Sequence, residues 1–356
     1  MIMANSKKEA NPTGFGDVFE VKAPDISLVE AVALVKHHYG LVGRASALNS
    51  ERDHNFQIET ERHGKFVLKI AHPAETIETV DFQTAALMHI AAVDPDLGVP
   101  AVRPTMTGDL HPVISIRGDE PRITRLLTYL PGRILATTEA SAQQDRNLGV
   151  FLARLGRALR GFYHCAAAGS DLLWDIRKVA KARPLLVHIK DHRRRDILDR
   201  CIDEYERDVA HLAPGLRAQI VHNDMNPNNV VVDPASTAMI SGILDFGDML
   251  HSPLICDVAV GAIHRWTPDE HPLAGAARFV SGYQSVQPLE EIEIGLLLDF
   301  MRARLTLTAA VVQWQAERFP EKRDYVLRRN AEIWSSIESL SEISRNSAHS
   351  YFLQKE

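Results

Sequence analysis

Two segments constrain this chain more than any other feature. The first runs Ile220-Val221-His222-Asn223-Asp224-Met225-Asn226-Pro227-Asn228-Asn229-Val230-Val231-Val232-Asp233. The second runs Ile240-Ser241-Gly242-Ile243-Leu244-Asp245-Phe246-Gly247-Asp248. Each joins an apolar strand to a polar turn, so acidic and amide side chains emerge where a rigid element ends. Taken singly, His-x-Asp, Asn-Pro and Asp-Phe-Gly-Asp are ordinary turn chemistry. Taken in order they form one pattern: His-x-Asp, an Asn at the fifth place after the Asp, a β-rich run, and Asp-Phe-Gly about twenty residues on.

Phosphoryl transfer requires such a set. A carboxylate must accept or orient the proton of the attacking hydroxyl, and oxygen ligands must hold Mg²⁺ on the phosphates. Asp224 suits the base, Asn229 a Mg²⁺ ligand and Asp245 the principal Mg²⁺ ligand. His222 enters the catalytic segment as a hydrogen-bonding brace of the loop. Upstream, Lys69 stands in Phe66-Val67-Leu68-Lys69-Ile70, flanked by apolar residues where a solvent-facing lysine is out of place. It is the candidate for contact with nucleotide phosphates. No glycine-rich loop precedes it, and in the turn Ala47-Leu48-Asn49-Ser50-Glu51-Arg52-Asp53-His54-Asn55 a phosphate contact would fall to Ser50, an Asn or backbone N–H groups.

The rest of the chain supplies the frame. Residues 1–25 read as a flexible polar tail. A helix capped by Ser27 follows, with Leu28, Ala31, Val32, Leu34 and Val35 on its buried side. Strands are expected over 56–59 and 65–70 with a hairpin turn at 61–64, a helix over 75–92, and strands over 113–116 and 123–129. From about residue 140 the pattern turns helical, with Leu148, Leu152, Leu155, Leu159 and Phe162 as a buried stripe. The texture changes at Pro131-Gly132-Arg133, which places a small lobe with its hinge at 26–131 and a helical catalytic lobe at 132–356. At 356 residues, two lobes are expected rather than one core.

Composition excludes some classes. A net charge of −6 argues against a general nucleic-acid binder, and Arg193-Arg194-Arg195, bracketed by Asp191 and Asp196, reads as a solvated helix face. Cys165, Cys201 and Cys256 form no zinc spacing or disulfide framework. Without a signal peptide or a membrane-length apolar run, a cytoplasmic location is expected. Oligomeric state is left open.

These residues resemble the aminoglycoside phosphotransferase and choline kinase superfamily. Its catalytic segment is His-Gly-Asp with an Asn five residues on, followed by Ile-Asp-Phe or Ile-Asp-Trp, matched here by His222, Asp224, Asn229 and Asp245. Arg125-Leu126-Leu127-Thr128-Tyr129-Leu130-Pro131-Gly132-Arg133 and 241–249 are similar to segments of the hydroxylysine kinase group and its bacterial relatives. The resemblance spans about residues 40–320. It implies an α+β, two-lobed, protein-kinase-like fold, with an antiparallel sheet in the small lobe and a mostly helical large lobe. It also implies transfer of the γ-phosphate of ATP or GTP, with Mg²⁺, to the hydroxyl of a small amine or amino acid such as hydroxylysine. The hinge becomes 127–130, with the backbone of Leu127 and Tyr129 contacting the purine. The helix after Lys69 offers Gln83, or Asp81, where the family places a glutamate partner for that lysine.

Two other readings stand beside this one. An aminoglycoside phosphotransferase would line its acceptor cleft with acids, and Asp257, Asp269, Glu270, Glu290, Glu291, Glu293 and Asp299 are available. Arg265, Arg278, Arg302 and Arg304 in the same region suit an acceptor that also carries a carboxylate, with Asp248 and Asp257 for its ammonium. The third reading is an inactive kinase-like binding module.

Overall fold

The computed structural model describes residues 26–48, 50, 53–115, 121–167, 172–266 and 270–354. The expected tail, Asn49, Glu51, Arg52, Ile116 and Asp269 lie outside these residues.

The first helix, α1 (Leu28–Tyr39), starts at Ser27, whose side chain accepts from the Glu30 N–H while the Glu30 carboxylate accepts from the Ser27 N–H. It ends at Gly40, where φ is 67°. Its buried line is Ala31, Val35 and Tyr39, whereas Leu28, expected inside, is 45% exposed at the outer end of that line. Next come the strands β1 (Gly43–Leu48), β2 (His54–Thr60) and β3 (Gly64–Ile70), then α2 (Ile77–Val93), β4 (Val102–Arg103), β5 (Val113–Ile114) and β6 (Arg122–Thr128). Their antiparallel order is β1-β2-β3-β6-β4, with β5 also on β6. Two strands of this sheet are unexpected, the two-residue β4 and β1, where Arg44-Ala45-Ser46-Ala47 is an edge with small side chains and no apolar alternation.

The chain then enters a second region through β7 (Arg133–Ile134), α3 (Ala142–Ala158), α4 (His192–Asp208), β8 (Ala218–Val221), β9 (Val230–Val232), β10 (Ile240–Ile243) and β11 (Leu250–Pro253). Helices α5 (Leu254–Ala262), α6 (Ala274–Val286), α7 (Glu291–Arg318), α8 (Arg323–Leu327), α9 (Asn330–Ser341) and α10 (Arg345–Leu353) complete it. None of the described helices is long and apolar enough to cross a membrane.

Among the described residues two large apolar cores form, with a small third cluster at Val221, Leu250 and Leu254. The sheet and α1 enclose Phe56, Ile58, Phe66, Leu68, Ile70 and Leu126. The helical core takes in Leu148, Leu152, Leu155 and Leu159, and also Phe82, Leu87 and Ile90 of α2. Thus α2 lies between the sheet and the helices. The following segment is fixed at Gly98, where a Cβ would stand 1.8 Å from the Ser241 carbonyl oxygen and whose own carbonyl accepts from the Ile243 N–H at 2.9 Å. That contact anchors β10, the strand leading to Asp245.

Candidate active site

Two short antiparallel strand pairs, one nested inside the other, deliver the acidic turns to one place. β8 pairs with β11, Val221 opposite Leu250, so the residues after β8 meet those before β11: Asp224 beside Asp248. β9 pairs with β10, and the Leu244 N–H donates to the Asn229 carbonyl at 2.7 Å, setting Asn229 next to the Asp245 turn. Asn223 and Asp245 take left-handed backbone, φ 64° and 58°. Such conformations cost of order 1 kcal/mol or more and persist where surrounding contacts over-determine them. Asn is among the side chains that tolerate this region best, which suits Asn223 to the place where the resembling segments carry glycine.

Those contacts can be followed outward from Asp257, a buried carboxylate on α5. It accepts from the Asn223 N–H at 2.8 Å and the His222 N–H at 3.2 Å. Asp257 is therefore a brace beneath the loop and not, as expected from sequence, a group open to a substrate ammonium. The His222 ring, fully buried, has Nε2 3.1 Å from the Leu244 carbonyl oxygen and accepts from the Asp224 N–H through Nδ1 at 3.3 Å. A ring that donates at one nitrogen and accepts at the other is neutral. Burial holds its pKa down to about 4, despite the opposing pull of Asp245 and the Leu244 carbonyl.

This has a measurable consequence for stability. Below pH 6.5 the unfolded chain protonates this histidine while the folded protein does not until about pH 4. The His222 contribution is thus present at neutral pH and lost on acidification, by up to about 3 kcal/mol. Asp257, pushed up to about 6 chiefly by burial, works in the opposite sense, because the folded state takes its proton first as pH falls. A His222→Asn variant should be less stable than the parent at pH 7, with the gap closing by up to about 3 kcal/mol by pH 4.5. Denaturant unfolding at three pH values checks this, and a gap constant with pH would contradict a neutral buried His222.

Asp224 sits at the mouth of this frame. Its Oδ2 accepts from the amides of Asn229 at 2.6 Å and Asn226 at 2.9 Å, and its Oδ1 lies 3.4 Å from Arg304 Nη2. Burial and then the Asp248 charge raise its pKa to about 7, while Arg304 acts against them. With the Asn229 amide nitrogen committed to Asp224, its Oδ1 is left as the acceptor for a cation. Among the described residues no cluster of three or more His, Cys, Asp or Glu is placed to hold a metal by itself. Asp245 and Asn229 instead offer a few oxygens, which fits Mg²⁺ carried in on phosphate oxygens and water.

Across the cleft stand Ser50, Asp53, Lys69, Glu75, Gln83 and Arg125, facing Asp224, Asp245 and Asp248. Lys69 contacts Asp53 at 3.3 Å and Asp245 at 3.8 Å. Neither expected partner is used. Gln83 accepts from Arg125 Nη2 at 2.6 Å, and Asp81 bridges His111 at 2.9 Å and His164 at 3.0 Å on another side of α2. The physical reason is register: Arg125 lies directly opposite Lys69 on β6 and reaches Gln83 instead. Sequence reasoning missed Asp53 and Arg125 here. Arg125 carried a readable signal, a charge inside the apolar run Ile123–Leu127.

The expected hinge contacts also change. The Tyr129 N–H donates to the Lys65 carbonyl at 3.0 Å, and Leu127 lies between β3 and β4, so neither backbone N–H is offered to a purine as the sequence suggested. Among the described residues, no hydrogen bond takes up the Leu130 N–H. Of the acids expected around the acceptor, Asp248 lines the cleft. Glu290 and Glu293 pair with Arg217, Asp299 with Arg345, and Glu270 with Arg278. Arg265 and Arg278 share Asp145, and Arg302 donates to the carbonyls of Leu340 and Ile343. Arg304 alone of that set reaches the catalytic turn.

The profile described as "Phosphotransferase enzyme family" matches residues 44–289. The chain is 26% identical to hydroxylysine kinase of Mus musculus over 352 residues, covering 93% of each chain. In fold it is similar to the amicoumacin kinase hAmiN, solved with AMP-PNP, Ca²⁺ and Ami, at TM-score 0.64 and 13% identity, covering 89% of this chain and 94% of that one. It is also similar to a microcompartment-associated aminopropanol kinase, at TM-score 0.63 and 18% identity, covering 92% and 99%.

Proposed function

The chain belongs to the phosphotransferase enzyme family, and on that premise we propose that it moves the γ-phosphate of ATP or GTP onto the side-chain hydroxyl of a small amino acid of the hydroxylysine type. The carrying observation is the convergence of Asp224, Asn229, Asp245 and Lys69 on one cleft.

In this reading the acceptor hydroxyl approaches Asp224 Oδ1, because the two asparagine amides hold Oδ2. Its oxygen forms the new bond to phosphorus as the bond to the bridging oxygen of the nucleotide breaks, and its proton passes to Asp224. Lys69 neutralises phosphate oxygens on the far side. Mg²⁺, held by Asp245 and Asn229, would supply charge neutralisation on the phosphates.

Arg304 favours an acceptor bearing a carboxylate. It is 5% exposed, stacks over Trp174 at 4.8 Å and donates to the Trp174 carbonyl at 3.2 Å, while its Nη2 lies a long 3.4 Å from Asp224 Oδ1. Such a guanidinium beside the base has capacity left for an anion. Asp248, on the cleft wall, suits the ammonium. An aminoglycoside would gain little from Arg304, and most of the acids expected for it are paired elsewhere.

The test offers hydroxylysine and an aminoglycoside to the enzyme with ATP and GTP in turn. Turnover of the amino acid is expected. Efficient turnover of the aminoglycoside with none of the amino acid would overturn the acceptor assignment and leave the phosphotransferase standing.

A further inference from the structure

Lys69 and Arg125 face each other directly across the β3–β6 ladder, and both line the cleft. Like charges opposite one another on a sheet face destabilise it. The two are not compensated alike. Lys69 contacts two carboxylates, Asp53 at 3.3 Å and Asp245 at 3.8 Å. Arg125 is 5% exposed, and among the described residues no carboxylate lies within ion-pair distance of it. Its contact is the neutral Gln83 amide at 2.6 Å, with Asp53, Asp245 and Glu75 acting at longer range. Burying a cation without a contacting anion is unfavourable.

The side chains have exchanged partners. Asp53, whose other oxygen accepts from the His72 N–H at 3.2 Å, holds the lysine that a carboxylate on α2 would otherwise hold. The α2 position, being glutamine, orients the Arg125 fork without neutralising it. An arginine kept charged, positioned and enclosed at the wall of a nucleotide cleft is complementary to phosphate oxygens. We propose that Arg125 is a second phosphate-binding cation, gripping the donor nucleotide together with Lys69. This rests on the nucleotide-dependent reading above.

Two variants test it. Arg125→Gln removes the charge but keeps a donor for Gln83. Gln83→Glu leaves Arg125 in place and neutralises it by a direct ion pair. Calorimetry with MgATP and MgGTP should show affinity weaker by about tenfold or more in both variants, the worth of a charged hydrogen-bonding contact. Adenosine and guanosine, which lack phosphates, should bind as to the parent. Without nucleotide the melting temperature of both variants should be equal to or above the parent's, since the uncompensated buried charge is removed in one and paired in the other. Parent-like triphosphate affinity in either variant overturns the proposal. So does equal loss for nucleoside and triphosphate with a lowered melting temperature, which would mark Arg125 as structural. A parent that binds no nucleotide in any form would instead remove the function reading, and this proposal with it.

Discussion

An Asp224→Asn variant is expected to lose at least about 10²-fold in turnover while remaining folded. The substitution is nearly isosteric, and its oxygen can still accept from Asn226 and Asn229, which hold Oδ2 in the parent. What it lacks is a second oxygen able to take the hydroxyl proton. Stability argues the same way. Burial, reinforced by Asp248, already disfavours the ionised carboxylate, so a neutral side chain relieves part of that strain. The opposing loss is the contact with Arg304, long at 3.4 Å. The melting temperature should therefore stay near the parent's while steady-state turnover collapses. Near-parent turnover in a folded variant would remove Asp224 from the base role, whatever the family.

How much of this was legible in sequence depended on how far apart the cooperating residues lie. The fold class could be read, because period-two and helical patterns are local and the His222–Asp245 pattern is a short stretch built around the single β9–β10 hairpin. Pairings across the sheet could not. The family resemblance points to Gln83 or Asp81 as the partner of Lys69, but the β3–β6 register, which sends Arg125 to Gln83 and leaves Lys69 to Asp53, is set by tertiary packing. The hinge failed for a related reason. The sequence shows where a strand ends but not that the Tyr129 N–H is already bonded to Lys65. Acids were over-read in the C-terminal region, since a carboxylate such as Glu293 or Asp257 looks the same in sequence whether it lines a cleft or braces a helix. Exposed β1 carried too little apolar signal to be found at all.

Metal dependence gives the second large effect. Asp245→Asn should raise the Mg²⁺ concentration needed for half-maximal turnover and cut activity at fixed Mg²⁺ on the order of 10²-fold, since metal assistance in such reactions is worth several kcal/mol. Asparagine is the informative replacement, because Asp245 sits at φ 58° and asparagine tolerates that backbone where alanine is strained. The Asn229→Ala variant removes a neutral ligand and one of the amides that aim Asp224. Its Mg²⁺ requirement should rise less, while its turnover at saturating Mg²⁺ should stay depressed because the base is less well held. Asp245→Asn also takes from Lys69 one of its two carboxylate contacts, leaving Asp53. Lys69 should then stay at the phosphate wall, so nucleotide affinity measured without Mg²⁺ should change little. Titrating Mg²⁺ at fixed nucleotide for both variants separates these effects. A larger rise in Mg²⁺ requirement for Asn229→Ala than for Asp245→Asn would exchange the two ligand roles, and no rise in either would place the metal elsewhere in the cleft.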